Sequence, residues 1–168
     1  VSADHGENQG ELGVYGDHQT ADHVTSRVPL IVRWPGLPGG RVDEGLPYNL
    51  DLPPTMAQML GTRVPVAWDG ESFAETLRSG NEAGRDYLVV SQCAWSCQRS
   101  VRWDDWLMIR TYHAGLKDLA PIMLFDVAEV LGRTVFLAER PARLAETELA
   151  AELPEEALKL GVARLRRV

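Results

Sequence analysis

The chain has 168 residues, of which 45% are hydrophobic and 24% charged, a composition typical of a globular protein. Its net charge of −7 argues against non-specific binding to nucleic acid or to a membrane surface, because both need a basic field. No apolar stretch approaches the roughly 18 residues of a membrane-spanning helix.

The first part of the chain predicts a loop followed by a strand. Residues 4–23 are polar and rich in glycine, and they fit neither a helical nor a strand period. Long loops inside domains are usually functional or disordered, and the clustered Asp, His and Glu favour a functional loop. Residues 28–34 are mostly apolar and end at Pro35-Gly36. That pattern predicts a strand buried on both faces, in a parallel or mixed sheet covered by helices.

Two helices are predicted next, over residues 49–61 and 70–78. In the first, Asp51 can cap the N-terminus, prolines occupy the first turn and Gly61 ends the helix. The apolar face of this helix is predicted to hold Leu52, Met56, Met59 and Leu60.

The second half predicts a small antiparallel sheet. Residues 100–103 and 106–112 flank Asp104-Asp105, which is a hairpin signal, and residues 87–91 and 121–126 are further strands. Residues 136–168 predict one or two surface helices.

Cys93 and Cys97 are the only cysteines of the sequence, in Cys-Ala-Trp-Ser-Cys. The spacing matches no zinc or redox motif, which favours two structural thiols, although a disulfide stays open. The redox compartment is therefore not determined by the cysteines.

The start of the chain reads as the middle of a longer protein. Val1 begins a strand that leads into a polar loop, without an initiating Met or a signal peptide. The location of the protein stays open between the cytoplasm and the periplasm or exterior.

Asp4-His5-Gly6 is the candidate site on chemical grounds. A carboxylate and an imidazole at the end of a strand can reach one metal ion, and Gly6 lets the backbone turn away. A divalent ion there would neutralise an anionic ester. Alone, the tripeptide is more often a capped turn.

The surrounding block is more specific than the tripeptide. Residues 2–36 contain, in order, Ser-Ala-Asp-His-Gly-Glu, Gly-Glu-Leu-Gly, Arg-Val-Pro-Leu-Ile and Trp-Pro-Gly. They resemble the second metal-binding block of the sulfatases, in the alkaline-phosphatase superfamily. A weaker resemblance continues to Asp126.

This resemblance implies an α/β fold, namely the C-terminal part of the sulfatase mixed sheet with a small antiparallel α+β subdomain. The implied divisions are the end of the catalytic domain over 1–65, the subdomain over 66–126 and a divergent helical tail over 127–168.

The resemblance also implies roles for individual residues. Asp4 and His5 match two ligands of a single divalent metal ion, with calcium expected and magnesium or manganese as alternatives. His18 occupies the position of a lysine that contacts the substrate sulfate. Its imidazolium could make that contact or protonate the leaving oxygen, and a solvated loop residue is the equal alternative. His23 is predicted to be structural.

Three departures from the family pattern qualify the resemblance. Leu12 replaces a histidine, the pattern is lost after Asp126, and the formylglycine motif and the early Asp-Asp pair are absent from the sequence. Neither Cys93 nor Cys97 fits the formylglycine motif. The expected parent is thus a sulfatase acting on small-molecule or saccharide sulfate esters, whereas this chain alone is expected to be inactive. The alternatives are a phosphonate monoester or phosphodiester hydrolase and a non-catalytic binding module.

Overall fold

The computed structural model describes residues 1–81 and 84–127. These residues belong to two compact units. Among the described residues, the first unit comprises those within Val1–Asp4 and Leu30–Leu88, and the second comprises those within His5–Pro29 and 89–127. The helices predicted within 136–168 lie outside the described residues, and the three-part division of the chain stays a prediction.

A four-stranded sheet confirms the strands predicted in the second half of the chain. The strands are in sheet order β3, β4, β5 and β6, and they cover Tyr87–Gln92, Cys97–Trp103, Trp106–His113 and Ile122–Asp126. The β4–β5 and β5–β6 pairs are antiparallel. The predicted hairpin turn lies between Trp103 and Trp106, which pair across it, and Asp104 takes φ 39° there. Asp tolerates positive φ better than most residues, so the Asp-Asp turn suits the tight connection.

Apolar residues are buried on both faces of this sheet, with Val101, Met108 and Leu124 on one face and a larger cluster on the other. Alternate residues of a strand point to the same face, so apolar side chains of β5 and β6 form one cluster. Its buried members are Leu107, Ile109, Met123, Phe125 and Val127. Leu12, which replaces a histidine of the sulfatase pattern, packs against this cluster and joins the polar loop to the sheet.

The segment 4–23 is not the irregular loop that its sequence predicts. It contains two short antiparallel strands, β1 (Asn8–Gln9) and β2 (Tyr15–Asp17), and helix α1 (His23–Ser26) begins at its end. Strands of two and three residues are too short to show a period, which is why the pattern failed here. Gly10 at φ 135° and Gly13 at φ 68° allow the reversal between the strands.

The first unit contains the two predicted helices with shorter bounds, α2 (Leu52–Met59) and α3 (Ala74–Ser79). The predicted apolar face of α2 is not buried, because Met56 and Leu60 are 53% and 63% exposed. Pro54 and Thr55 are the buried residues of the helix. Within the described part of the chain, no helix has the length and apolar character needed to cross a bilayer.

Asp51 does not cap α2 as predicted. Its fully buried carboxylate instead accepts hydrogen bonds from the Tyr48 and Glu71 backbone amides, both at 2.7 Å. The Arg85 guanidinium donates two more, at 2.6 and 2.9 Å. Burial by itself raises the pKa of Asp51. The hydrogen bonds from the Arg85 guanidinium and the two amides lower the pKa by more than burial raises it, so the pKa lies below its usual value of 3.8. One carboxylate thus joins three segments of the first unit.

The predicted burial of residues 28–34 is also wrong. Leu30, Ile31 and Val32 are 37%, 64% and 39% exposed. Within the described residues, this segment makes one isolated antiparallel bridge, between Ser2 and Leu30. Burial on both faces requires neighbouring strands and covering helices, which the local pattern alone cannot supply.

We predict that Asp51→Asn lowers the free energy of unfolding by roughly 3–5 kcal/mol, because it removes the buried anion that pairs with the Arg85 guanidinium at 2.6 Å. Urea denaturation at pH 7 measures the change. Glu71→Gln is the matched control, since this 78% exposed side chain also pairs with Arg85, at 3.5 Å. Its removal is expected to cost about 1 kcal/mol or less.

The same pair predicts an acid dependence. Because the folded pKa of Asp51 lies below the usual 3.8, its stabilisation is present above that pH and is lost as the pH falls through the folded pKa. The penalty of Asp51→Asn should therefore shrink below about pH 4. An equal penalty at pH 7 and pH 3 would contradict the ion-pair explanation.

Candidate functional site

Three polar side chains of the second unit form a surface cluster, His5, Glu7 and His18. The two imidazole rings are stacked, with centroids 3.7 Å apart and planes inclined by 21°. The Glu7 Oε2 atom lies 3.4 Å from His18 Nδ1 and 3.9 Å from His5 Nδ1. The three side chains are 40–44% exposed, so a ligand in solvent can reach them.

The β1–β2 hairpin brings these residues together. Asn8 pairs with Asp17 across the hairpin. Glu7 directly precedes Asn8 and His18 directly follows Asp17, so both lie at the open end of the hairpin. The cluster is therefore a consequence of strand pairing between two residues that sequence analysis did not assign to strands.

A network of buried polar side chains connects the hairpin to α1. Asn8 is fully buried and donates to Asp22 Oδ2 at 2.7 Å, while Thr20 donates to Asn8 Oδ1 at 2.8 Å. Asp22 also caps α1 by accepting from the Thr25 amide at 3.1 Å and from its hydroxyl at 2.6 Å. Each buried polar group of this network is paired, which favours a single arrangement of the hairpin over α1.

Gly6 is required where the chain passes α1. Its amide donates to the Thr25 carbonyl at 2.9 Å, and a Cβ atom added at Gly6 would lie only 1.8 Å from the Val24 carbonyl oxygen. Any larger residue would displace the backbone between His5 and Glu7. The glycine of the Asp-His-Gly block thus allows close backbone approach.

The sheet holds the backbone on the other side of the cluster. Gln92 Nε2 donates to the His18 carbonyl at 3.1 Å, and the Ser96 hydroxyl donates to the Gln19 carbonyl. The buried Gln98 side chain accepts from the Ala21 amide at 2.9 Å. Side chains near the β3–β4 connection therefore satisfy an irregular stretch of backbone that pairs with no strand of the described residues.

Asp17 and Lys117 form an ion pair beside His18. The Lys117 Nζ atom lies 3.1 Å from Asp17 Oδ2, and the same carboxylate accepts from the His18 amide at 2.7 Å. Desolvation raises the pKa of Asp17, but the bond to Lys117 and the backbone amides lower it below 3.8. Asp17 is thus ionised at neutral pH.

His23 is neutral at neutral pH. Burial lowers its pKa to about 4, and the cations of Arg27 and Arg102 act in the same direction. The His23 Nε2 atom lies 3.4 Å from Arg27 Nη1. A histidine held without charge beside two arginines is suited to packing and cannot pair with an anion as an imidazolium.

The cluster offers two imidazole nitrogens and one carboxylate oxygen, all within 4.8 Å of one another. Such donors can share one divalent ion after small movements, since metal–ligand bonds of about 2.0–2.2 Å place neighbouring donors roughly 3–3.5 Å apart. The structure thus brings together His5 and His18, two of the three predicted site residues. Asp4 is exposed, and its role as a ligand stays a prediction.

Glu7 was not selected from the sequence. The available signal was its place in Asp-His-Gly-Glu, directly after the residues that were selected. The hairpin partner Asn8 and the capping Asp22 gave no signal, because their importance comes from contacts across the fold.

Sequence comparison confirms the resemblance to sulfatases. The chain is 34% identical over 85 residues to an extracellular sulfatase SULF-1 homolog of Drosophila melanogaster, an alignment covering 51% of this chain and 8% of that protein. It is 30% identical over 74 residues to a Caenorhabditis elegans protein of similar description, covering 44% and 10%. The chain therefore spans only a small part of these relatives. No family model matches it.

Solved structures confirm the fold class. A 2-O GAG sulfatase superposes with a TM-score of 0.72 at 23% identity, covering 99% of this chain and 36% of that one. A protein solved with its substrate, D-glucosamine-2-N,6-O-disulfate, gives 0.70 at 21% identity, covering 95% and 33%. The phosphonate monoester hydrolase of Silicibacter pomeroyi gives 0.66 at 27% identity, covering 100% and 34%. The chain has the mixed α/β architecture of one part of these enzymes.

We predict that His23 makes the free energy of unfolding fall as the pH drops from about 6.5 towards 4. The unfolded histidine binds a proton near 6.5, whereas the folded one resists protonation until about 4, so acid favours the unfolded state. Urea midpoints at pH 7 and pH 5 should differ less in His23→Gln than in the unchanged chain.

His113→Gln is the control for this measurement, because His113 is exposed on β5. It should keep the pH dependence of the unchanged chain. Equal pH dependence in the His23 variant and the unchanged chain would show that His23 is protonated in the folded protein as readily as in the unfolded one.

Proposed function

We propose that this sulfatase-like chain supplies part of the active site of a metal-dependent sulfuric ester hydrolase. The observation that carries the proposal is the exposed His5–Glu7–His18 cluster, which lies within the block that resembles the second metal-binding block of sulfatases. The sulfatase relatives support the same reaction class. Small-molecule or saccharide sulfate esters are the proposed substrates. The 2-O GAG sulfatase and the protein solved with its glucosamine disulfate substrate favour saccharides.

Asp4 and His5 are the proposed protein ligands of one divalent ion. Their oxygen and nitrogen donors fit such an ion, and the exposed His5 ring lies beside the Glu7 carboxylate. Calcium is the expected ion, with magnesium or manganese as alternatives, because imidazole is a less typical calcium ligand than oxygen. When bound, the ion would neutralise charge on the sulfate ester.

His18 is proposed to contact the substrate anion. Its ring is accessible, and the Glu7 carboxylate 3.4 Å from its Nδ1 atom orients it. As an imidazolium it can donate a hydrogen bond to a sulfate oxygen or a proton to the leaving oxygen. The hydrogen bond from the Gln92 side chain to the His18 carbonyl holds the residue in place during either role.

A phosphonate monoester hydrolase is the second candidate. The phosphonate monoester hydrolase neighbour supports it, because sulfate and phosphonate esters are both tetrahedral anions that the same contacts could bind. A non-catalytic binding module is a further alternative.

An extracytoplasmic location is part of the main proposal, supported by relatives described as extracellular sulfatases.

We predict that the 168-residue chain alone does not hydrolyse an aryl sulfate in the presence of calcium. The sequence lacks the nucleophile motif, and loss of a nucleophile costs on the order of 10⁶-fold in rate in a well-studied hydrolase. Turnover above a heat-inactivated control, abolished by Asp4→Ala, would contradict this expectation.

We also predict that a polypeptide extended by its upstream coding sequence hydrolyses the aryl sulfate faster than a phosphonate monoester. His18→Ala in that polypeptide should lower kcat/KM by about 10²–10⁴-fold if His18 acts as the acid. His113→Ala, at an exposed position, is the control and should leave the rate unchanged. Faster phosphonate hydrolysis would favour the second candidate, and no hydrolysis of either would favour the binding module.

A further inference from the structure

Two thiols face each other at the connection between β3 and β4. The Sγ atoms of Cys93 and Cys97 lie 2.6 Å apart, and both cysteines are free. Cys93 is exposed and Cys97 is half-buried, so solvent reaches the pair. Only a small movement would bring the sulfurs to the 2.03–2.05 Å of a disulfide.

The short loop that the two thiols would close also holds the segment of His18. Gln92, directly before Cys93, donates to the His18 carbonyl at 3.1 Å. Ser96, directly before Cys97, is 2% exposed and donates to the Gln19 carbonyl. The two residues that hold this segment therefore lie next to the two cysteines.

The loop is also closely packed against the β5–β6 connection. A Cβ atom added at Gly115 would lie 2.5 Å from the Trp95 carbonyl oxygen, so the two backbones are in contact there. The Trp95 side chain itself is 74% exposed. A disulfide between Cys93 and Cys97 would preserve this backbone conformation and would not require a buried side chain to move.

We propose that Cys93 and Cys97 form a reversible disulfide that fixes the loop holding the His18 segment. The proposal rests on the position of the thiols and on the hydrogen bonds beside them, and it does not depend on the proposed function. It assigns to the pair a modification that the motif spacing left open.

The oxidant is a low-molecular-weight disulfide such as oxidised glutathione. The Cys93 thiolate attacks one of its sulfurs, forms a mixed disulfide and releases one glutathione thiol. The Cys97 thiolate then attacks Cys93 Sγ and releases the second. The protein loses two protons and two electrons, and the oxidant S–S bond is reduced to two thiols.

The order of these steps follows from the environment of each thiol. Cys93 is the more exposed sulfur and therefore meets the oxidant first. The hydrogen bond with Cys93 raises the pKa of the Cys97 thiol, which lowers its thiolate fraction before the mixed disulfide forms. Cys97 then needs only to reach the adjacent mixed disulfide.

Thiol counting tests the bond directly. The folded chain is equilibrated with oxidised and reduced glutathione at ratios spanning an oxidising and a reducing compartment, then alkylated and weighed by mass spectrometry. We expect the oxidised chain to lose two hydrogen atoms, to take up no alkylating group and to recover both thiols with dithiothreitol. Cys93→Ser and Cys97→Ser should each stop at a single glutathione adduct or a free thiol. Two alkylated cysteines in the unchanged chain under oxidising conditions would overturn the proposal.

Hydrogen exchange tests the link to the His18 segment. Amides of residues 18–21 should exchange more slowly in the oxidised chain than in the reduced one, and the midpoint of thermal unfolding should rise by roughly 4–8 °C. The Cys93→Ser/Cys97→Ser double variant is the matched control and should be insensitive to glutathione. A disulfide that forms without slowing exchange over these residues would overturn the claim that it fixes the segment.

Discussion

The candidate site depends on how the backbone of residues 18–21 satisfies its polar groups. Within the part of the chain that the structure describes, this stretch pairs with no strand, so its carbonyls and amides need other donors and acceptors. Gln92, Ser96 and Gln98 provide them from the sheet side. Without those side chains the stretch would lose its defined path, and His18 would lose its position beside Glu7. Side chains of the sheet and of its β3–β4 connection thus hold the backbone that positions His18.

In the second unit, the residues that hold the hairpin in place are buried, whereas the residues of the candidate site are exposed. Asn8 and Asp22 are buried and fully engaged in hydrogen bonds, while His5, Glu7 and His18 are exposed directly above them. Exposed imidazoles and carboxylates keep their hydration, so leaving them open to a ligand costs little free energy. Buried polar groups, in contrast, are costly unless paired, and this cost makes the hairpin geometry specific.

The sequence predicted elements best where the pattern repeats over several residues. The strands β4 and β5 were found from a hairpin signal between two apolar runs, and helix α2 from helix-end signals. Prediction failed for β1 and β2, which are too short for a period, and for the burial of residues 28–34, which depends on neighbours. Asp51 looked like a helix cap, but its charge is better satisfied by Arg85, which is distant in sequence.

By itself, the sequence predicted where the candidate site lies. The Asp4-His5-Gly6-Glu7 block and its resemblance to sulfatases are properties of consecutive residues, and strand alternation is equally local. Only the tertiary structure decided that His18 joins His5 and Glu7, and that two cysteines face each other beside the segment that carries it. These distances arise from strand pairing and side-chain hydrogen bonds between residues far apart in the chain, whose energies no local pattern encodes.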